Sequence, residues 1–295
     1  MGDKRLGLTK NRRWLRALLL AAVLCVFSGA VAGCGSSGQG DGEMAWETSK
    51  KDSSKKKKKK APKELYAEAV KKNQELSSMD MSTVVKMTMS QGEETIDVDV
   101  DMDIQMADVN TDRMKYAANG STSLMGQTIE TSVFYTGGYY YMDMMGQKIK
   151  YAMDMGQLME QVKQTTDNGN LNAAYIKDIQ AKKDGDNTIL TFTADSAKMD
   201  GYVKEMMGSM GGVMSGTDGA EFTIKSAEGE MTVNKEGYYT DMKMHMDLDM
   251  TMQGETIGLK MDMTAAVHSP GRSVEVVLPD TEGYQEIDAS LLNAN

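Results

Sequence analysis

The stretch DMKMHMDLDMTM, residues 241–252, sets an apolar side chain at every second position and a polar or charged one between. Successive side chains of a strand point to opposite faces, whereas a helix would scatter Met242, Met244 and Met246 around its surface. The segment is therefore a strand with one dry face and one wet face. The same period runs through MDMSTVVKMTMS (79–90) and TIDVDVDMDIQM (95–106), which the turn around Gly92 joins into a hairpin with one apolar face.

The rest of the chain repeats this design with two changes of period. Strands are predicted at RMKYAA, QTIETSVFYT, YYYMDMM and KIKYAM, with turns at Asn119-Gly120, Met125-Gly126-Gln127, Gly137-Gly138 and Met145-Gly146-Gln147. Pro62 suits a first helical position, and KELYAEAVKKNQEL places Leu65, Tyr66, Ala69, Val70 and Leu76 on one side of an opening helix. From Asp154, a capping residue, Met155, Leu158, Met159 and Val162 follow at helical spacing. NLNAAYIKDI reads as a second short helix and DSAKMDGYVKEMM as a third. GSMGGVMSGTDG is too rich in glycine for regular structure and reads as a loop. Strands resume through IQAKKDGDNTILTFTAD before that loop, and through AEFTIKSAEGEMTVNKEGYYT, ETIGLKMDMTAAV and SVEVVLP after it. The expected class is α+β: a large curved antiparallel sheet of about ten or eleven strands, a half-barrel, with a few short helices on one face.

The N-terminus has a different character. Basic residues Lys10, Arg12, Arg13 and Arg16 precede ALLLAAVLCVFSGAVAG, an apolar run ending in small residues, as an export signal does. VAGC, Val31 to Cys34, resembles the lipobox of bacterial lipoproteins, in which the cysteine takes a diacylglyceryl group and becomes the first residue after cleavage. Two acyl chains pass the threshold for stable anchoring, since each buried methylene contributes ~0.8 kcal/mol. Cys25 leaves with the signal and Cys34 is capped, so the mature chain holds no thiol for a disulfide, a nucleophile or a metal. Gly35 to Pro62 is Gly, Ser and Lys with almost nothing apolar, and ends in six lysines, Lys55 to Lys60. Such a stretch reads as a tether. The expected organisation is a signal peptide (1–33), a lipidated cysteine with its tether (34–62) and one body (63–295), on the extracytoplasmic face of the cell membrane.

Charge narrows the partners. Residues 1–33 carry six basic side chains and one acidic, and 34–62 carry eight and four, so the formal charge of −10 for the whole chain becomes −19 for the body. Such a body repels nucleic acid and anionic membrane alike. The alternating acids Asp97, Asp99, Asp101 and Asp103 superficially match a calcium loop, but Met102 stands where its glycine belongs and Asp108 where its glutamate belongs. A solvated face is the simpler reading. Two histidines, His245 and His268, stand without a nucleophile elbow or phosphate-binding loop, so neither an enzyme nor a cofactor is expected.

Of 29 methionines, 27 lie between Met79 and Met263. An ordinary core explains a dry face but not the choice of residue, because methionine is flexible and specifies packing poorly. That flexibility suits a surface that re-packs around a hydrophobic small molecule or lipid, with the loop around Met210 and Met214 as its lid. Copper is a third reading, since Met244, His245 and Met246 offer soft ligands. In a strand, however, His245 points away from both methionines, so no metal site is expected.

A lipobox, a polar tether, an opening helix, methionine-rich hairpins with MGQ turns, a helical interruption and further hairpins together resemble the methionine-rich lipoproteins of Gram-positive bacteria. Those are similar in turn to the LppX/LprAFG lipoproteins and, more remotely, to the LolA carriers. The resemblance implies a half-barrel wrapped around helices, with an apolar cavity for acyl chains and no catalytic residues. The candidate lining is Met87, Met102, Met144, Met206, Met244 and Met250. The alternative is a structural or interaction lipoprotein with a solid core.

Overall fold

The computed structural model describes residues 60–288, apart from 110, 169–170, 200–202, 204–220 and 253. Helix α1 (Pro62–Gln74) opens with proline at its first position and leads into the hairpin β1 (Ser78–Gln91) and β2 (Glu94–Ala107). Strands β3 (Lys115–Leu124), β4 (Gln127–Thr136), β5 (Tyr139–Met144) and β6 (Gln147–Ala152) continue the meander to one edge. Helix α2 (Met155–Asn168) and a 3-10 turn (Ala173–Tyr175) precede β7 (Ile176–Asp184) at the opposite edge. From there β8 (Asn187–Ala194), β9 (Glu221–Val233), β10 (Tyr239–Met252) and β11 (Glu255–Val267) meander back to pair with β1. A two-residue strand, β12 (Gln285–Glu286), adds to β6 in the one parallel pairing among the described residues. The result is a twelve-stranded, unclosed sheet of order β12-β6-β5-β4-β3-β2-β1-β11-β10-β9-β8-β7.

Register keeps the two faces apart across most of that width. One row runs Met102, Thr83, Ala265, Met242, Met231, Leu190 from β2 to β8, and the next runs Asp101, Val84, Thr264, Lys243, Glu230, Thr191. A slip of one residue anywhere would exchange the methionine and acid faces, so burial of one face fixes the pairing. We call the first face inner, because the main core and α1 lie on it.

Local chemistry seats the helices. Asp154 accepts from the backbone N–H of Gln157 at 2.8 Å while the Gln157 side chain accepts from the N–H of Asp154 at 3.0 Å. This reciprocal cap satisfies two orphan donors at the start of α2. On α1, the Tyr66 hydroxyl donates to the carbonyl of Leu171 at 2.7 Å, and its ring meets Phe192 edge-on at 5.2 Å. Buried Asn73 donates to the Tyr239 carbonyl at 2.9 Å and accepts from the Tyr239 N–H at 3.1 Å, acting as a strand partner for the first residue of β10.

Three sequence expectations change. Asn119-Gly120 is no turn, because β3 runs unbroken through it and pairs on both sides. NLNAAYIKDI gives only the 3-10 turn, since Ile176 onward is captured by the edge ladder with β8. SVEVVLP joins no ladder. It instead crosses the outer face, where Val274, Val276 and Leu278 pack over Ala117, Phe134 and Tyr141. There Phe134 stacks on Tyr141 at 4.6 Å, and Tyr284 closes on both edge-on. The strands number twelve, the last of only two residues, in keeping with the expected large curved sheet of about ten or eleven. Residues 196–199 and 203 are helical as expected, while the rest of that helix and the glycine-rich loop lie outside the described residues.

Candidate functional site

The inner face is not covered evenly. Toward β7 to β10 its side chains join the main core under α1, and Met231, Met242, Met244 and Met246 are buried. Toward the β1–β2 turn a separate cluster forms, in which only Val98 and Val100 are buried and Val85, Met87, Met89, Ile96 and Leu124 are half-buried. Across β11 the same rows carry Leu259, Met261 and Met263, also half-buried. An apolar band therefore crosses β3, β2, β1 and β11 with its side chains partly open.

That band is free of charge. Between the hairpin ends, no Asp, Glu, Lys, Arg or His stands on the inner face of β1 to β5, β10 or β11. The acids Asp97, Asp99, Asp101 and Asp103 all point outward and are exposed. His245 is also outward, with Nδ1 2.8 Å from Asp262 Oδ1, while Met244 and Met246 are inward. The Met-His-Met triplet therefore does not converge, and among the described residues no group of three His, Cys, Asp or Glu could hold a metal.

Besides the half-buried Thr83, two buried threonines interrupt the apolar face. Thr122 (0% exposed) and Thr131 (4% exposed) are buried, and neither hydroxyl has a hydrogen-bond partner. Further down the same face Tyr116, Tyr140 and Tyr151 pack ring to ring, at 6.3 and 5.5 Å between successive centroids. Burial pushes the Tyr116 and Tyr151 phenols up to about 12, and burial followed by the neighbouring tyrosines raises Tyr140 well above 10. All three are neutral hydroxyls at any physiological pH.

Of the candidate lining residues, Met87, Met102, Met144, Met244 and Met250 share the inner face. Met244 and Met250 are buried, at 4% and 5% exposure, whereas Met87, Met102 and Met144 are half-buried. Met206 lies outside the described residues. Sequence reasoning missed Thr122, Thr131, Met261 and Met263. The period Tyr116, Ala118, Gly120, Thr122, Leu124 holds the signal for Thr122, but reading Asn119-Gly120 as a turn broke it.

The outer face has its own concavity, an open groove of about 590 Å³ across β7 to β11. Its lining includes Thr191, Thr193, Glu228, Glu230, Lys243 and Asp262, whose polar groups point into solvent, together with Ile179, Phe192, Met244 and Met263. Nothing there excludes water, so it has the character of a solvated sheet face rather than a ligand site.

The family of unknown function DUF6612 matches residues 61–281. A search of curated proteins finds no match. Among solved structures the fold is similar to LprF from Mycobacterium bovis, at 11% identity over 74% of this chain and 96% of that one, with a TM-score of 0.37. It is similar also to lipoprotein LppX from Mycobacterium tuberculosis, at 12% identity over 73% and 98%, with a TM-score of 0.34. A LolA superfamily protein from Nitrosomonas europaea matches at 10% identity over 72% and 93%, with a TM-score of 0.17. These are the lipoproteins and LolA-like proteins that the sequence pattern resembles. Since the family match runs from α1 past the last residue of β11, the chain belongs to the DUF6612 family.

Proposed function

We propose that this chain is an extracytoplasmic lipoprotein, anchored through Cys34, that holds a hydrophobic ligand non-covalently against the methionine face of its sheet. The observation that carries this reading is the charge-free band on β1, β2, β3 and β11, whose methionines and leucines are half-buried although charged side chains fill the opposite face. An apolar band left partly open marks a surface that binds something. A ligand covering it gains ~0.8 kcal/mol for each methylene removed from water. Met87, Met102 and Met144 touch the ligand, and Met244 and Met250 support it. The unbranched thioethers adapt to chains of different shape. On this reading residues 1–33 are the signal and 34–62 the tether, which would reach ~30 Å and let the body visit the bilayer. The body, 63–295, is a binder with no catalytic role.

A second reading, a structural or interaction lipoprotein with a solid core, is favoured by Met231, Met242 and Met246, which are packed like core residues at 0–2% exposure. One experiment separates the two. Residues 61–295 are purified, examined by native mass spectrometry and extracted with organic solvent. A co-purifying lipid, or saturable binding of an environment-sensitive dye, supports the ligand reading. Bare protein that binds no dye supports the solid core.

A further inference from the structure

A sheet face made for packing alone has no use for Thr122 and Thr131. Among the described residues, theirs are the two buried side-chain polar atoms without a hydrogen-bond partner, and both stand on the inner face. Valine has the same shape and leaves no hydroxyl unpaired. The neighbouring inner positions Val100, Ala118 and Val133 are indeed aliphatic. Buried hydroxyls are nearly always paired, so two unpaired ones in adjacent positions need a cause.

Their placement supplies one. Thr131 stands directly across the ladder from Gly120, and Thr122 follows two residues along β3, so the hydroxyls are one diagonal step apart with no side chain between them. Met102 flanks Gly120 on β2, and Met144 flanks Thr131 on β5. The result is a buried pair of polar groups beside Val100, where the half-open methionine band meets β3 and β4. A hydroxyl both donates and accepts, so the fitting group carries oxygen, as an alcohol or an ester carbonyl does. A carboxylate or phosphate does not fit. No basic side chain stands on this face of β1 to β5, and a buried anion without a partner is strongly disfavoured.

We propose that Thr122 and Thr131 together anchor the uncharged oxygen-bearing group of a long-chain ligand, whose hydrocarbon lies along the band of β1, β2 and β11. The proposal rests on the hydrophobic-ligand reading and adds the end at which the ligand is held and the chemistry of its head. The test uses the full chain and its Thr122→Val/Thr131→Val variant. An environment-sensitive apolar dye is bound and then displaced by monopalmitoylglycerol, palmitate or hexadecane, each delivered from cyclodextrin. Two lost hydrogen bonds correspond to about thirtyfold weaker monopalmitoylglycerol binding in the variant, with dye and hexadecane unchanged. The ligand-free variant should melt at a higher temperature than the parent, because unpaired hydroxyls are gone.

Equal monopalmitoylglycerol affinity in parent and variant overturns the anchor while leaving the ligand reading intact. So does palmitate binding as tightly as monopalmitoylglycerol at neutral pH, or a variant that melts lower. A parent that binds neither dye nor any of the three lipids overturns the ligand reading itself, and the anchor with it.

Discussion

Gly229 offers the sharpest test of how the inner face is packed. It lies on β9 between Met244 on β10 and Phe192 on β8. A Cβ at this position would stand 2.4 and 2.8 Å from two ring atoms of Phe192 and 2.9 Å from the carbonyl oxygen of Lys243. Neither neighbour can give way cheaply. The ring is buried and held edge-on by Tyr66, itself tied to Leu171, and the carbonyl belongs to a central strand paired on both sides. Overpacking of a core costs about 1–3 kcal/mol, and two fixed partners place Gly229→Ala at the upper end. For a domain of this size each kcal/mol moves the melting temperature by about 2–4 °C, so the expected fall is about 6–12 °C. Circular-dichroism melts of Gly229→Ala, Phe192→Leu and the double variant measure it. The double variant should lose less than the sum of the two singles, by ~1 kcal/mol or more, because the shorter side chain removes two of the three collisions. A Gly229→Ala protein melting within about a degree of its parent, or strictly additive losses, would refute the described register of β8, β9 and β10.

Three further outcomes follow from the same coordinates. Asn73→Ala removes both hydrogen bonds that fasten α1 to the start of β10, and should lower stability by ~2 kcal/mol in urea titration; a change under about 0.5 would show that the helix is not seated there. Met145 holds φ at 55° while 73% exposed, so Met145→Asn should raise stability by about 0.5–1 kcal/mol through relief of left-handed strain alone; a loss would mean that the methionine makes a contact of its own. The tyrosine cluster sets an alkaline limit, because Tyr116 and Tyr151 titrate near 12 when folded and near 10 when unfolded. Their contribution is fully present below pH 10 and is lost as pH rises toward 12, at about 1.4 kcal/mol per pH unit for each. Urea midpoints should therefore hold to pH 9.5 and fall steeply beyond it, and phenolate absorbance developing fully at pH 10 in folded protein would contradict the burial.

Much of this architecture was legible because a strand's faces are written in alternate residues. Met242, Met244 and Met246 are inward and His245 outward, as the alternation requires, and Asp154 caps its helix as its position requires. Pairing over long distances was not legible. That Met87 meets Met261, bringing β11 back to β1 at the centre of the sheet, depends on register between segments of near-identical pattern. Nor did the pattern separate extended chain that joins a ladder from extended chain that lies across one, as Val274 to Leu278 does. For the candidate site, local sequence named the lining face but not its open part. Met87 and Met244 alternate with polar neighbours in the same way, and only the uneven cover over the sheet makes one half-open and the other buried.

Residue-resolved methionine oxidation addresses the binding face most directly. Full-length protein is exposed to dilute peroxide with and without monopalmitoylglycerol, and each methionine's rate is followed by peptide mass spectrometry. Lipid should slow oxidation several-fold at Met87, Met102, Met261 and Met263, while the hairpin-tip residues Met125 and Met145 react at an unchanged rate. Identical rates at all six positions with and without lipid would mean that the open thioether band does not receive a ligand.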